Sequence, residues 1–128
     1  MACMGLIGAG LLLEGCATSL PLVKTTPKDR SLFIPISKFS GNSKMLIVRS
    51  SSLENDILLI KNENEFKALY LKCTHEGVGL TPTDKNIVCP SHGSTFDFMG
   101  NVLKEPALRP LQQFQTEISN ENILIHLI

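Results

Sequence analysis

The sequence predicts an all-β fold, an antiparallel β-sandwich or barrel, with a small inserted segment at residues 73–111. Three observations support this class. From residue 31 onward, short β-rich runs alternate with turn signals at regular intervals. No segment after residue 30 has a helical period of useful length. Residues 73–111 interrupt the strand rhythm with closely spaced Cys, His, Gly and Pro.

The first two strands are predicted over residues 31–39 and 44–50, with a turn at Gly41 and Asn42 between them. Pro35 lies inside the first run. Because proline has no N–H to donate to a neighbouring strand, we expect this first strand to lie at the edge of a sheet.

Two hairpins follow, and each has the turn sequence Asn-Glu-Asn between two apolar runs. The predicted pairs are 57–61 with 65–72, and 112–119 with 123–128. A shorter hairpin around residues 83–86 is expected inside the insertion. The main sheet is therefore predicted to consist of the strands before and after the insertion.

The composition suits one ordinary domain. The chain has 128 residues, of which 43% are hydrophobic, and its twelve basic residues balance its twelve acidic ones. A nucleic-acid binder usually shows a basic excess or patch, and neither is visible here. We therefore expect no nucleic acid among the partners.

The N-terminal residues resemble an export or anchoring segment. Residues 2–13 are apolar and uncharged, too short for the roughly 20 residues that span a bilayer but matching the apolar region of a secretory signal. Residues 13–16, Leu-Glu-Gly-Cys, resemble a bacterial lipoprotein processing site, in which Cys16 would receive lipid. The alternative is an N-terminal helix with an unmodified Cys16.

These features predict three regions. Residues 1–16 form a signal, lipoprotein-like or membrane-anchor segment, and residues 17–30, with two Pro and alternating charges, form a linker. Residues 31–128 form the domain, with the insertion at about 73–111 as its metal-binding part. We expect a membrane-associated protein on the periplasmic or extracytoplasmic face, with a cytoplasmic location as the alternative.

Two Cys-His pairs make the insertion a candidate metal site. One residue separates Cys73 from His75, and two residues separate Cys89 from His92. Thiolate and imidazole ligands together suit zinc, iron–sulfur or copper. A Cys₂His₂ zinc site normally groups its two Cys together and its two His together. Here each pair is mixed, which disfavours zinc.

The flanking residues extend this pattern. His92-Gly-Ser-Thr-Phe-Asp97, then Gly100, Pro106 and Leu111, resemble the second cluster loop and the proline loop of Rieske 2Fe–2S proteins, and the likeness covers residues 31–128. The resemblance implies one 2Fe–2S cluster per chain. One iron would take both Cys, and the other would take both His.

The chain departs from respiratory and photosynthetic Rieske proteins at two places. Those proteins carry an extra cysteine in each cluster loop, whereas Val78 and Ser91 stand here, so no bridging disulfide can form. Ser94 keeps one hydroxyl donor to the cluster, and Phe96 replaces the tyrosine that supplies the other. We expect a potential of roughly −150 to +100 mV. Gly93 is expected to let the backbone approach the cluster closely.

The resemblance implies one-electron transfer, with which three of the four candidate roles are compatible. The preferred role is an exported or membrane-tethered electron carrier. The alternatives are a ferredoxin component of an oxygenase system, the iron–sulfur subunit of a cytochrome bc-type quinol oxidase, and a binding domain in which the cluster is only structural. The expected partners are a redox donor and acceptor: a cytochrome, a quinol complex, or an oxygenase or reductase component. Any enzymatic activity would belong to a complex of which this chain is the redox subunit.

Overall fold

The computed structural model describes residues 20–127, which form eleven strands and one turn of 3₁₀ helix, Ile36–Lys38. The predicted all-β class is confirmed. Across this part of the chain no helix has the length and apolar character needed to cross a membrane. The strands are β1 (Leu22–Lys24), β2 (Ser31–Pro35), β3 (Met45–Arg49), β4 (Ile57–Asn62), β5 (Glu65–Tyr70), β6 (Thr81–Pro82), β7 (Ile87–Val88), β8 (Thr95–Phe96), β9 (Val102–Lys104), β10 (Gln113–Ser119) and β11 (Asn122–His126).

Seven of the strands form one barrel-like sheet in the order β1-β3-β4-β5-β10-β11-β2. Strand β2 lies at the end of this order, as Pro35 predicts. The two Asn-Glu-Asn hairpins are confirmed as β4–β5 and β10–β11. Their turns place Glu63 and Asn120 at φ of 59° and 60°, a left-handed conformation that Asn tolerates better than most residues.

Strand β1 was not predicted from the sequence, which indicates only a linker over residues 17–30. Leu22–Lys24 pairs in parallel with β3, and the Ile47 amide donates a 2.8 Å hydrogen bond to the Pro21 carbonyl. Val23 packs against the barrel core. The partner strand lies more than twenty residues away in sequence, so no local pattern marks β1 as a strand. The predicted anchor segment, residues 1–16 with Cys16, lies outside the described residues.

The remaining four strands form a second, smaller sheet in the order β6-β7-β8-β9. All four lie between β5 and β10, which pair with each other in the large sheet. The expected hairpin at 83–86 joins β6 to β7, with the Thr83 amide bonded to the Asn86 carbonyl at 2.7 Å. The small sheet is thus carried by two neighbouring strands of the barrel.

Strand β4 separates two hydrophobic cores. Ile57 and Leu59 point into the barrel, while Leu58 points outward to the small sheet, and all three are fully buried. The barrel core contains Leu32, Ile34, Leu46, Val48, Ile57, Leu59, Ala68, Ile123 and Ile125. The second core contains Leu58, Leu69, Leu71, Cys73, Leu80, Ile87, Cys89, Phe96, Ala107 and Leu111. The two cysteines of the sequence motif therefore belong to the core that joins the two sheets.

Candidate metal centre

Two loops with the same backbone hydrogen-bond pattern carry the motif residues. In loop 1, residues 73–78, the Cys73 amide donates to the Val78 carbonyl at 2.8 Å, and the Gly77 amide donates to the Cys73 carbonyl at 2.8 Å. Gly77 has a φ of +77°, a conformation that glycine adopts without steric cost. The chain therefore turns back within five residues of Cys73.

Loop 2, residues 89–94, repeats this pattern at the same spacing. The Cys89 amide donates to the Ser94 carbonyl at 2.8 Å, and the Gly93 amide donates to the Cys89 carbonyl at 3.0 Å. Gly93 has a φ of +83° and is the counterpart of Gly77. The two loops are equivalent turns, and each begins with a cysteine.

The loops place the four candidate ligands in two environments. Cys73 and Cys89 are each only 2% exposed, and both are free thiols in the second core. His75 and His92 are both exposed, with ring centroids 5.2 Å apart and ring planes at 77°. The structure therefore brings the two imidazoles together at the surface and keeps the two thiols inside.

Glu76 lies beside the histidine pair and was not singled out by the sequence analysis. Its carboxylate Oε1 is 3.7 Å from Nδ1 of His92, and the carboxylate and the two imidazoles form one exposed group of possible metal ligands. The Ser91 hydroxyl lies 3.4 Å from the same Nδ1. The only advance signal was the position of Glu76 next to His75 in the motif.

The proline-containing segment after β9 is fastened to loop 1. The Thr74 hydroxyl donates to the Arg109 carbonyl at 2.7 Å, and the Arg109 guanidinium lies 3.5 Å from the Thr74 carbonyl. The contact of Arg109 with Thr74 could not be predicted from the sequence, because the two residues are thirty-five positions apart and no local pattern links them. These bonds hold Arg109 and the segment before it against Thr74, the residue that precedes His75 in loop 1.

Ser94 fastens the same segment to loop 2. Its hydroxyl accepts a 2.9 Å hydrogen bond from the Ala107 amide, and neither residue has any exposed surface. Phe96, on β8, is also fully buried and belongs to the same core as Cys73 and Cys89. Ser94 and Phe96 thus lie in the interior behind loop 2.

The donor chemistry of the four residues fits a mixed-ligand iron–sulfur centre. Two thiols and two imidazoles come as one of each from two equivalent loops, so each loop can supply one ligand to each of two irons. The described residues contain no other cysteine, so no disulfide can join Val78 of loop 1 to Ser91 of loop 2. The residues therefore fit a 2Fe–2S cluster of the Cys₂His₂ type.

Comparison with known proteins agrees with this assignment. A family model described as the Rieske [2Fe-2S] domain matches residues 35–115. The cytochrome b6-f complex iron-sulfur subunit 2 of Nostoc sp. (strain PCC 7120) is 30% identical over 92 residues, which are 70% of this chain and 46% of that protein. The matched region thus spans about half the length of the cytochrome b6-f iron-sulfur subunits that the chain resembles.

Solved structures show the same fold. The cyanobacterial plasma membrane Rieske protein PetC3 from Synechocystis PCC 6803 superposes with a TM-score of 0.59 at 27% identity, covering 73% of this chain and 96% of that chain. A chain in the complex of reduced oxygenase and oxidized ferredoxin in carbazole 1,9a-dioxygenase superposes with a TM-score of 0.57 at 19% identity, covering 77% and 94%. The second likeness concerns the fold alone.

Proposed function

Because this chain belongs to the Rieske [2Fe-2S] family and carries a Rieske-type 2Fe–2S cluster, we propose that it is a small electron carrier, exported or tethered to a membrane. The observation that carries the proposal is the pair of equivalent loops with buried thiols and exposed imidazoles. Cys73, Cys89, His75 and His92 are the proposed ligands. Residues 31–128 are the proposed domain, and residues 73–111 are its cluster-binding part.

The ligand set determines the chemistry that the site offers. When bound, a 2Fe–2S cluster with two thiolates and two neutral imidazoles exchanges one electron, and its oxidised core is neutral, so its potential is higher than that of a four-cysteine cluster. Cys73 and Cys89 are each only 2% exposed in the second core, which limits the access of water to the thiolates. The exposed edge of His75 and His92 leaves the other end open to a partner protein.

The proline-containing segment supports this arrangement. Thr74 and Ser94 bond it to loop 1 and loop 2 respectively, so the segment connects the two ligand loops. A rigid ligand frame changes little between oxidation states, which favours rapid electron exchange. The bonds of these two side chains therefore serve the proposed carrier role directly.

Two observations favour the tethered carrier over the ferredoxin role. The apolar residues 2–13 and the lipoprotein-like residues 13–16 support export, with Cys16 as the proposed lipid attachment site. The name of the Synechocystis relative describes a plasma membrane protein.

The second candidate role is the ferredoxin component of an oxygenase system. The observation in its favour is Val78 and Ser91 in place of the two loop cysteines, as in Rieske ferredoxins. A third role, the iron–sulfur subunit of a quinol-oxidising complex, draws on the names of the cytochrome b6-f relatives.

The ligand assignment is tested by metal analysis and spectroscopy of the purified chain. We expect two irons and two sulfides per chain, and a reduced-state EPR spectrum of a Cys₂His₂ cluster. His92→Ala should abolish that spectrum, whereas His126→Gln, which changes the remaining histidine in β11, should keep it. One zinc per chain without sulfide would overturn the assignment.

The cellular role is tested by fractionation and redox titration. Intact mass of membrane-bound protein should show a lipid on Cys16, and an unmodified full-length chain in the soluble fraction would contradict the tether. A midpoint potential above roughly +150 mV that falls with pH near neutrality would favour quinol oxidation over the carrier role.

A further inference from the structure

We infer that Glu76 sets the midpoint potential of this centre, because its negative charge beside the histidine pair stabilises the oxidised form. The inference rests on the proposed ligation by His75 and His92. It concerns a residue that is neither a ligand nor a hydrogen-bond donor to the cluster. Its effect is electrostatic, and it lowers the potential.

The position of the carboxylate carries the inference. Oε1 of Glu76 lies 3.7 Å from Nδ1 of His92, and Glu76 directly follows His75 in the chain. The hydrogen bonds of Cys73 with Val78 and of Gly77 with Cys73 close loop 1 around Glu76, which fixes its backbone. The charge thus lies beside the two imidazoles, on a short turn whose backbone is held by these bonds.

The direction in which Glu76 shifts the midpoint potential follows from the charge that reduction adds to the site. Reduction adds one electron from the partner, breaks no bond in the chain, and makes the site more negative by one charge. A fixed negative charge nearby disfavours that step, so the oxidised form gains stability relative to the reduced form. The 3.7 Å between the Glu76 carboxylate and Nδ1 of His92 is well inside the Debye length of about 8 Å at physiological salt, so salt screens this charge only in part.

Neighbouring cations oppose the carboxylate only in part. Lys72 packs along Gly77, but its ammonium lies 3.5 Å from the Glu54 carboxylate, which offsets its charge. The Arg109 guanidinium lies against the Thr74 carbonyl, one residue before His75. Arg109 should therefore act in the opposite direction to Glu76 and raise the potential.

The test is a dye-mediated redox titration of the cluster-loaded full chain, followed by its visible circular dichroism or EPR signal. Glu76→Gln keeps the size and polarity of the side chain but removes the charge, so the potential should rise. The difference from the parent chain should shrink as salt increases from about 0.05 to 0.5 M, since the side chain is exposed. Glu76→Asp, which keeps the charge, should titrate close to the parent chain.

Two further variants separate a local charge effect from a general one. Arg109→Gln should lower the potential while leaving the backbone bond to Thr74 in place. Glu121→Gln makes the same change of charge as Glu76→Gln at the β10–β11 turn. At about 3.4 Å per residue along β10, this turn lies roughly 20 Å from Gln113, where the strand begins near the metal centre. The midpoint potential of the Glu121→Gln variant should therefore equal that of the parent chain.

The outcomes distinguish this inference from the ligand proposal. A parent chain without a Cys₂His₂ cluster spectrum would overturn both. An intact spectrum with an unchanged or lower potential in Glu76→Gln would overturn the role of Glu76 alone. Loss of the cluster in Glu76→Gln would also overturn it, because Glu76 would then act in assembling the centre and not on its potential.

Discussion

The hydroxyl of Ser94 accepts a 2.9 Å hydrogen bond from the amide of Ala107, and neither residue has exposed surface. The bond joins the end of loop 2 to the proline-containing segment that follows β9. Because the hydroxyl acts as the acceptor in this bond, its own proton remains available to donate toward the proposed cluster. Ser94 can therefore both fasten the segment and tune the potential.

Replacing Ser94 with Ala should affect stability and potential together. The Ala107 amide would be left buried without a partner, which costs about 1–3 kcal/mol of unfolding free energy. Loss of a donor to a cluster sulfur should also lower the midpoint potential. Denaturant unfolding and redox titration measure the two effects, with Ser119→Ala at the end of β10 as control. A loss of stability at constant potential would restrict Ser94 to its bond with Ala107.

Replacing Phe96 with Tyr should raise the midpoint potential. Phe96 is fully buried in the core that holds Cys73 and Cys89, so an added hydroxyl needs an acceptor close by. A cluster sulfur would be that acceptor, and the new bond would favour the electron-rich reduced state. Redox titration gives the answer directly. An unchanged potential accompanied by lower stability would mean that the ring edge faces away from the cluster.

Replacing Thr74 with Val should speed up loss of the cluster. The change removes the 2.7 Å bond to the Arg109 carbonyl, worth about 0.5–1.5 kcal/mol, and releases the proline-containing segment from loop 1. Bleaching of visible absorbance in the presence of a chelator measures the rate.

Thr116→Val is the matched control for this variant, because Thr116 makes the same kind of bond, 2.8 Å to the Phe66 carbonyl, away from the centre. Equal bleaching rates in the two variants would show that the Thr74 bond contributes only general stability.

Removing β1 should destabilise the domain. A chain that starts at residue 25 lacks the pairing of Leu22–Lys24 with β3 and the packing of Val23 on the barrel core. We expect a loss of about 1–3 kcal/mol of unfolding free energy relative to a chain that starts at residue 20. Chemical denaturation of both chains measures it. Equal denaturation midpoints for the two chains would show that residues 20–24 contribute nothing to stability, as expected of a linker.

The strands with strong local signals could be predicted from the sequence. Both Asn-Glu-Asn hairpins form as expected, because the turn residues and the flanking apolar runs are adjacent in the chain. The continuous apolar run at the start of β4 reflects burial of both faces, since Leu58 contacts one core and Leu59 the other.

The features that depend on distant contacts could not be predicted. Strand β1 pairs with the edge of β3, which is distant in sequence. Strands β6 to β9 are only two or three residues long, too short for an alternation of polar and apolar residues to be recognised. The positions of Glu76 beside His92 and of Arg109 beside Thr74 follow from the way loop 1 meets loop 2 and the proline-containing segment. The types of the candidate ligands were evident from the sequence, whereas the charges around them required the fold.

The pairing of β5 with β10 has a consequence for the folding rate. Leu69 pairs with Gln113, so 43 residues between them form a loop that must close before the large sheet is complete. Closing a loop of this length costs about 3 kcal/mol of chain entropy beyond a constant term. The two hairpins can form early, whereas their docking is a slower, non-local step, as is the pairing of β2 with β11. Because the cost grows only logarithmically, shortening the 83–86 hairpin would hardly accelerate folding, while strengthening the Leu69–Gln113 contact would.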